Sequence, residues 1–316
     1  MWRQIAIRSA VALGVLWAIY TITFLMAVAI PGNPFKQGER NMSPEVERAV
    51  LAQFHADDNW LFYWEYLSRL VGPLRWWQGR GPLLDLGPSW QYQDWTCNQI
   101  VVAALPVSVG LGMSAMLLAT GFGVPIGVLS AVKRNSWFDY GALALALAGV
   151  SLPTFVTGTA LLITLAVLPG WFPIGGWGSL SQLVLPAVTL SLPFLAYIAR
   201  LTRMGMLDVL GSDFVRTARA KGLSERKVIW KHALRNAFLP VLSFLGPASA
   251  AALTGSFVVE SIFNIPGLGQ HFVAGVLNRD RALILGTVLV YSAVIVLFNL
   301  LVDLTYAVVD PRIQSP

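Results

Sequence analysis

Charge is scarce in this sequence, and the scarcity decides its class. Asp, Glu, Lys and Arg make up 12% of the 316 residues, against about 25% in a typical soluble domain. Because about 20 apolar residues in a helix cross the hydrocarbon core of a membrane, long charge-free runs indicate a membrane-embedded chain. The longest of the five runs has room for two crossings, one on each side of an uncharged turn at residues 169–180. Six crossings are therefore predicted. The runs are residues 9–35, 95–132, 140–199, 236–259 and 282–302.

Residues that carry chemistry are also few. The single cysteine, Cys97, excludes a disulfide within the chain. The three histidines, His55, His232 and His271, lie far apart and form no metal-ligand spacing. No G-x-x-x-x-G-K-[ST] phosphate loop occurs, so we expect any ATP chemistry to take place in another chain. The sequence predicts no catalytic group and no metal site.

The positive charge of the chain is concentrated in one segment. Residues 200–235 hold nine basic and three acidic residues, a net charge of +6, which equals the net charge of the whole chain. Lys and Arg are enriched on the cytoplasmic side of membrane proteins. This segment, Arg3, Lys133 and Arg312 all fall on that side if the N-terminus is cytoplasmic. Six crossings then place both termini in the cytoplasm, and the charge does not indicate nucleic-acid binding.

The loop between the first two crossings is long enough to fold by itself. Ser43 predicts a helix start, with the helix running to about Phe54, and residues 59–70 predict a second helix. Six of the twelve tryptophans lie in this loop or at its edge. Tryptophan prefers the membrane–water boundary, which favours an interfacial cap packed on the crossing helices. Docking of another protein is the alternative, since such aromatics also mark binding hot spots.

Residues 211–240 predict two short helices joined at a tight corner. Asp213 is expected to cap the first, which ends near Lys221 because Gly222 supplies a left-handed residue. Ser224 is expected to cap the second. The apolar side chains of these helices suit docking to a partner, while a solvated loop that only fixes topology is the alternative. These apolar residues are Phe214, Val215, Ala218, Val228 and Ile229.

This segment resembles the EAA loop of bacterial ABC importer permeases, in the branch that carries peptides. In that family's motif an Ala stands four residues before the Gly of the turn, as Ala218 and Gly222 do here. Arg216-Thr217-Ala218 stands where the general family has Glu-Ala-Ala, a departure that looks like the peptide branch. The chain resembles the B-type membrane subunits of oligopeptide permeases. The resemblance extends to PGNPF at 31–35, LGPSW at 86–90, LPVSVGLG at 105–112, SLPTFV at 151–156, VVESIFNIPGLGQ at 258–270 and VDLTYAVVDPRI at 302–313.

The resemblance implies an all-α membrane protein with six transmembrane helices and the type I ABC importer permease fold. Residues 1–30 would form the cytoplasmic N-terminus and first transmembrane helix. Residues 31–98 would form a structured extracytoplasmic loop with short helices. Residues 99–316 would form a five-helix transmembrane core, with the coupling loop at 206–235.

The resemblance also implies partners and a location, the bacterial inner membrane. The partners would be a second related permease chain, two ATPase subunits, an extracytoplasmic binding protein, a peptide substrate and membrane lipid. ATP and Mg²⁺ would bind the ATPase subunits, so this chain would be no enzyme and would hold no cofactor. Dipeptides, murein peptides, peptide antibiotics and nickel chelates stay open as cargo, since selection is expected in the binding protein.

Two other classes of transport protein fit less well. A gradient-driven transporter usually places ionisable residues inside its crossings, and the interiors of these crossings carry none, with Glu260 and Asp303 near their ends. A passive channel or structural subunit has no need of the two-helix corner.

Three sets of site residues are predicted. The passage is expected to be lined by uncharged polar residues, because a fixed charge would penalise some peptides; bonding between helices is the alternative role. Residues at the far end of the fifth crossing either form a capped helix end with a tight turn or contact the binding protein. The coupling set is Asp213, Phe214, Arg216, Thr217, Ala218, Lys221, Gly222, Leu223 and Ser224. The passage set is Ser108, Ser114, Thr157, Ser191, Tyr197, Ser243 and Thr254. The docking set is Trp60, Trp64, Glu260, Pro266, Gly267 and Gly269.

Overall fold

A computed structural model describes residues 2–31, 58–70, 84–92, 94–254 and 256–309, with side chains at all of these except 2–9, 254 and 300–309. The described chain is nearly all helical, as expected, and its one extended pairing is an isolated bridge between Pro88 and Thr96. In chain order the α-helices are α1 (Trp2–Ala29), α2 (Asn59–Leu70), α3 (Cys97–Val132), α4 (Trp137–Ser151), α5 (Thr154–Leu161), α6 (Leu180–Leu210), α7 (Asp213–Ala220), α8 (Glu225–Lys227), α9 (Leu234–Ala237), α10 (Leu239–Thr254), α11 (Ser256–Ile262), α12 (Leu268–Leu277) and α13 (Arg281–Val309), with π-helical turns at Leu162–Val167 and Val228–Ala233.

Four of these helices are long and apolar enough to cross a membrane: α1, α3, α6 and α13. Two bent pairs, Trp137–Ser151 with Thr154–Val167 and Glu225–Ala237 with Leu239–Leu253, raise the number to six if each pair is one crossing. The bounds predicted for α2 are confirmed. The helix expected from Ser43 to Phe54 lies outside the described residues.

The third predicted crossing is broken rather than continuous. Leu152 adopts an extended backbone, φ −81° and ψ 127°, and Pro153 then begins α5. Proline disfavours the helical conformation in the residue before it and has no N–H to donate. The axes on either side bend by 107°, so the chain divides at Pro153 into two helices.

Helix α6 is longer than the crossing expected at about residues 182–198. It begins at a capping box in which Ser179 and Gln182 satisfy each other's backbone N–H groups, and it continues to Leu210. The extension beyond Ile198 adds about 18 Å at 1.5 Å per residue. It therefore carries Arg203 and the connection to α7 on a single rigid element.

The chain forms two compact units, each with its own core. One comprises residues 1–107 and 266–294, and the other residues 108–265 and 295–316. The first core is rich in aromatic rings, with Tyr20 of α1, Tyr63 and Tyr66 of α2 and Trp90 among its buried residues. The second core is built largely from Ala and Val of α3, α7, α9 and α10, with Ile198 and Met206 from α6.

Candidate functional site

The corner predicted at Gly222 is present, and two backbone hydrogen bonds form it. Gly222 has φ +76°, the left-handed conformation that glycine adopts without a Cβ penalty. Its N–H donates to the carbonyl of Arg219 at 2.9 Å, and the N–H of Leu223 donates to the carbonyl of Ala218 at 3.4 Å. These two bonds define a Schellman motif, which ends α7 and satisfies its last carbonyls. We call residues 211–237, on either side of this corner, the elbow.

The two helix starts of the elbow follow the prediction only in part. Ser224 occupies the N-cap position of α8, but its side chain makes no capping hydrogen bond. The N-cap of α7 is Ser212 and not Asp213, which is the first residue of the helix. An acid in the first turn still favours the helix through the macrodipole. The capping role expected for Asp213 is therefore corrected to a position one residue inside the helix.

The apolar side of the elbow faces its own protein core. Val215, Ala218 and Val228 are buried in one cluster with Met206 of α6 and Val128 of α3. These three residues were expected to serve for docking, and that expectation was wrong. Their burial follows the helical period, which places residues three or four apart on one face.

The opposite side of the elbow is exposed. Phe214 is 42% exposed, as a docking residue requires, and Trp230 is 43% exposed although sequence reasoning did not select it. The Arg219 guanidinium bonds to the Glu225 carboxylate across the corner, with Nε to Oε1 at 2.8 Å. Of the remaining coupling residues, Asp213, Arg216, Thr217, Lys221, Gly222 and Ser224 are exposed and Leu223 is half-buried.

A buried ion pair next to the elbow helices was not predicted. Asp139 of α4 is fully buried and accepts from Arg203 of α6 through Nε at 2.6 Å and Nη2 at 2.7 Å. The hydroxyl of Ser130 on α3 and the backbone N–H of Asn135 complete its partners. We call this group the Asp139 clamp. A two-point bond between guanidinium and carboxylate fixes orientation as well as distance, so the clamp ties α3, α4 and α6 together.

A sequence signal for the clamp exists but is weak. Ser136 caps α4 by accepting from the N–H of Asp139, so Asp139 occupies a usual place for an acid in a first helical turn. Its partner lies 64 residues further along the chain. Sequence spacing alone does not link the two.

Close backbone contacts join the elbow to the long helices of its unit. A Cβ on Gly205 of α6 would come within 2.6 Å of the Ala237 carbonyl oxygen in α9. A Cβ on Gly127 of α3 would come within 2.5 Å of the Ala199 carbonyl oxygen in α6. Glycine at these two positions lets the backbones touch. The elbow therefore contacts α6 directly, and α6 contacts α3 directly. A displacement of the elbow would be passed on to both helices.

The residues predicted to line the passage differ in their hydrogen-bond partners and in their exposure. Ser114 and Ser243 donate to carbonyls of their own helices, four residues earlier. Thr157 and Ser191 do the same three residues earlier. These bonds join no two helices, and each hydroxyl oxygen keeps lone pairs that can accept, so lining of the passage by these residues stays a prediction. Tyr197 is 43% exposed and stacks on Phe244 with ring centroids 4.6 Å apart, and the side chain of Thr254 lies outside the described residues.

Ser108 and Glu260 form a buried polar cluster instead. Glu260 is fully buried in α11, and its Oε1 accepts from Ser108 of α3 and from Ser256, each at 2.7 Å. A buried carboxylate bonded within its own unit is not available to a partner protein. The docking role considered for Glu260 is thus corrected to a link between α3 and α11.

The other docking residues divide by exposure. Trp60 and Trp64 of α2 are 70% and 60% exposed, and Pro266 is exposed, while Gly267 and Gly269 are buried. The two buried glycines contradict a direct docking role, since Gly267 is the N-cap of α12 and Gly269 lies in its first turn. Only the two tryptophans and Pro266 remain available for contact.

A second buried carboxylate, also missed from sequence, organises the segment that follows α2. Asp280 accepts from the N–H of Leu283 in the first turn of α13 at 3.0 Å. Its other oxygen accepts from the Ser89 hydroxyl at 2.5 Å and from the N–H groups of Trp90 and Gln91. Burial raises the pKa of Asp280 above its ordinary value, and these hydrogen bonds oppose the rise. The residue caps α13 and holds the 89–91 loop with one side chain.

The geometry of a membrane protein with a protruding two-helix elbow agrees with the family comparison. Residues 123–315 match the family of binding-protein-dependent transport system inner membrane components. The chain belongs to this family, and it is a membrane-spanning permease.

Similar proteins narrow this class further. The chain is 44% identical to the oligopeptide transport system permease protein OppB of Salmonella typhimurium, over 99% of this chain and all of that one. It is 42% identical to the dipeptide transport system permease protein DppB of Bacillus subtilis, over 94% and 92% of the two chains. A solved chain of the inward-facing MetNI methionine ABC transporter is 19% identical with a TM-score of 0.56, covering 67% of this chain and 97% of that one. The last likeness shows the fold, which is that of a type I ABC importer permease.

Proposed function

We propose that this permease moves oligopeptides across the bacterial inner membrane as one of two membrane subunits of an ATP-driven importer. The observation that carries the proposal is the elbow, whose apolar face is fixed in the core while Phe214, Trp230 and its charges face outward. A protein that only conducts has no use for such an element. A protein driven by a soluble partner needs one.

The elbow is suited to act as a lever that transmits movement from the ATPase subunits to the helices around the passage. Val215 and Val228 hold it to the core, and close contact at Gly205 joins it to α6. The Asp139 clamp then joins α6 to α3 and α4 through Arg203 and Ser130. ATP binding to the partner favours one of two arrangements by differential affinity, and the lever transmits that preference to the helices.

Two relations support peptide as the cargo. The relatives are named as oligopeptide and dipeptide permeases at 42–44% identity over nearly their full length. The charge-free interiors of the crossings also suit cargo whose side chains differ in charge. Dipeptides, murein peptides, peptide antibiotics and nickel chelates are the competing cargoes, because a binding protein selects before this chain does.

The remaining parts of the assembly belong to the same proposal. They are a second permease chain, two ATPase subunits that bind ATP and Mg²⁺ and carry all the enzymatic activity, and an extracytoplasmic binding protein. The charge distribution supports cytoplasmic termini and a cytoplasmic elbow. Helix α2 is then on the opposite side of the membrane from the elbow.

The experiment compares two glycines of the elbow region. Gly222→Val places a branched side chain at φ +76°, where open space surrounds the new Cβ but the backbone is strained, by about 1–2 kcal/mol. Gly211→Val also meets open space, at φ −84°, and is the matched control. In vesicles with binding protein and ATP, Gly222→Val should abolish peptide uptake while the chain inserts normally. Gly211→Val should keep uptake.

Gly222→Asn sharpens the test because Asn tolerates the left-handed conformation. It should retain more uptake than Gly222→Val. If Gly222→Val transports as well as the unmodified complex, the elbow is not the coupling element and the topological role of the segment takes its place.

Cargo requires a separate measurement. The binding protein that co-purifies with the complex should carry peptides, identified by mass spectrometry of the released ligand, and labelled peptides should compete for uptake. Release of a nickel chelate or of murein peptides alone would reject oligopeptide as the cargo and leave the coupling mechanism standing.

A further inference from the structure

Helix α2 is apolar on two opposite faces. One face packs in the core through Phe62, Tyr63 and Tyr66. The other presents Trp60, Leu61 and Trp64, which are 70%, 48% and 60% exposed. A helix packed on a core normally turns polar residues outward. The exposed face of α2 therefore points to surroundings other than water.

The contacts of α2 with two crossing helices fix its depth. The Tyr20 hydroxyl of α1 donates to the Tyr63 carbonyl at 2.7 Å, and Phe24 contacts the ring of Tyr63 with centroids 5.1 Å apart. The apolar stretch of α1 ends at Ala29, so these contacts lie about 8–14 Å inside its end at 1.5 Å per residue.

The contacts of α2 with α13 give a smaller lower limit for its depth in the membrane. The Tyr66 hydroxyl donates to the Ala282 carbonyl at 3.2 Å, about 2 Å from the start of α13 at Arg281. A Cβ on Gly286 would lie 3.4 Å from the same hydroxyl, about 8 Å along the helix. Both estimates place α2 between about 2 and 14 Å inside the ends of the crossings. Interfacial helices bury their apolar face about 5–10 Å into the boundary between headgroups and acyl chains.

The charges of α2 do not oppose this depth. Glu65 and Arg69 pair with each other at 2.6 Å, one helical turn apart, and each is only about a quarter exposed. Neither lies on the face formed by Trp60, Leu61 and Trp64. Tryptophan itself is enriched at this level of the membrane.

We propose that α2 is an interfacial helix whose face of Trp60, Leu61 and Trp64 contacts phospholipid, in the leaflet at which α1 ends and α13 begins. Helix α2 is thereby held down on the membrane rather than raised into the water. This inference requires only that α1 and α13 cross the membrane, so it stands or fails separately from the cargo and from the elbow.

The test measures what touches a spin label on this face. Leu61→Cys and Ser68→Cys place labels on the exposed side of α2, and the native Cys97 is fully buried, so the unmodified chain controls for background labelling. Leu25→Cys, on an exposed site of α1, is the lipid reference, and Gln91→Cys, exposed after α2, is the water reference. The complete complex is studied in phosphatidylethanolamine–phosphatidylglycerol vesicles, with oxygen as the lipid-soluble and a nickel chelate as the water-soluble relaxing agent.

The ratio of oxygen to chelate collisions at residues 61 and 68 should resemble that at Leu25 and exceed that at Gln91, because oxygen concentrates in the lipid and the chelate in water. A ratio equal to that at Gln91 would overturn the proposal, because the face would then be in water. Protection from both agents would overturn it as well, because a protein would then cover the face. The label at Ser68 decides the matter if Leu61→Cys does not assemble.

Discussion

Two aspartates among the described residues, Asp139 and Asp280, are fully buried, and each is satisfied by a different kind of partner. Asp139 meets a guanidinium, that of Arg203, and joins three helices next to the elbow. Asp280 meets hydroxyl and N–H groups that carry no net charge, and joins a loop to the start of α13. The surfaces near the two aspartates also differ in charge. The elbow, near Asp139, exposes charged side chains, and α2, near Asp280, exposes tryptophan and leucine.

The difference shows what each region has to do. An ion pair between helices fixes both distance and orientation, which suits the lever proposed for the elbow. Neutral donors around a carboxylate cap a helix and fix a loop in one shape without needing a second charge in the apolar surroundings. Four predictions test this contrast.

The largest expected difference is in labelling from outside the cell, because the two regions lie on opposite sides of the membrane. Ser224→Cys lies at the elbow corner and Gln91→Cys in the loop held by Asp280, and both positions are exposed. In intact cells an impermeant thiol reagent should label position 91 and not position 224, because a membrane separates them. The order should reverse in inside-out vesicles. Labelling of position 224 in intact cells contradicts the proposed orientation.

Removal of the clamp's cation should cause the largest loss of stability. Arg203→Leu leaves the Asp139 carboxylate buried without its ion pair, at an expected cost of about 3–5 kcal/mol in the free energy of unfolding. Detergent-induced unfolding of the purified complex measures it. Arg200→Leu, an exposed arginine on the same helix, should change stability by less than about 0.5 kcal/mol.

The double variant Asp139→Leu/Arg203→Leu checks the cause of that loss. It removes both charges, so it should recover part of the stability that Arg203→Leu loses. Equal losses in the single and double variants would mean that Arg203 acts by packing and not by pairing.

Removal of the capping carboxylate should cost less. Asp280→Ala deprives the Ser89 hydroxyl and the N–H of Trp90 of their acceptor and uncaps α13, at about 2–3 kcal/mol. Asp280→Asn keeps one acceptor oxygen and should lie between. Asp94→Ala, an exposed acid in the same segment, is the control and should have little effect. A smaller loss for Asp280→Ala than for Asp94→Ala would contradict the role of Asp280.

The smallest effect is expected at the elbow surface. Arg216 and Asp213 approach to 3.4 Å, but their side chains are 72% and 96% exposed. A solvated pair contributes little, so Arg216→Ala should keep the rate of peptide uptake within about twofold. A loss as large as that of Gly222→Val would show that Arg216 itself contacts the ATPase partner.

Sequence reasoning predicted the helical architecture and the elbow because both depend on local chemistry. Charge-free runs located the crossings, and the glycine in its sequence context located the corner at Gly222. Sequence reasoning failed where helices meet. It assigned Val215 and Ala218 to docking although they face the core. It placed Glu260 at a surface although this residue is buried and bonded to Ser108 and Ser256. An amphipathic pattern tells which residues share a face, but not what that face contacts.

The sequence by itself determined that this protein crosses a membrane and where its basic segment turns, because apolar length and glycine conformation act within a few residues. Only the tertiary structure decided which polar groups hold the helices together. Asp139 and Arg203 are 64 residues apart, and Ser89 and Asp280 are 191 residues apart. Their pairing arises from helix packing, since a buried carboxylate is stable only where packing brings donors to it.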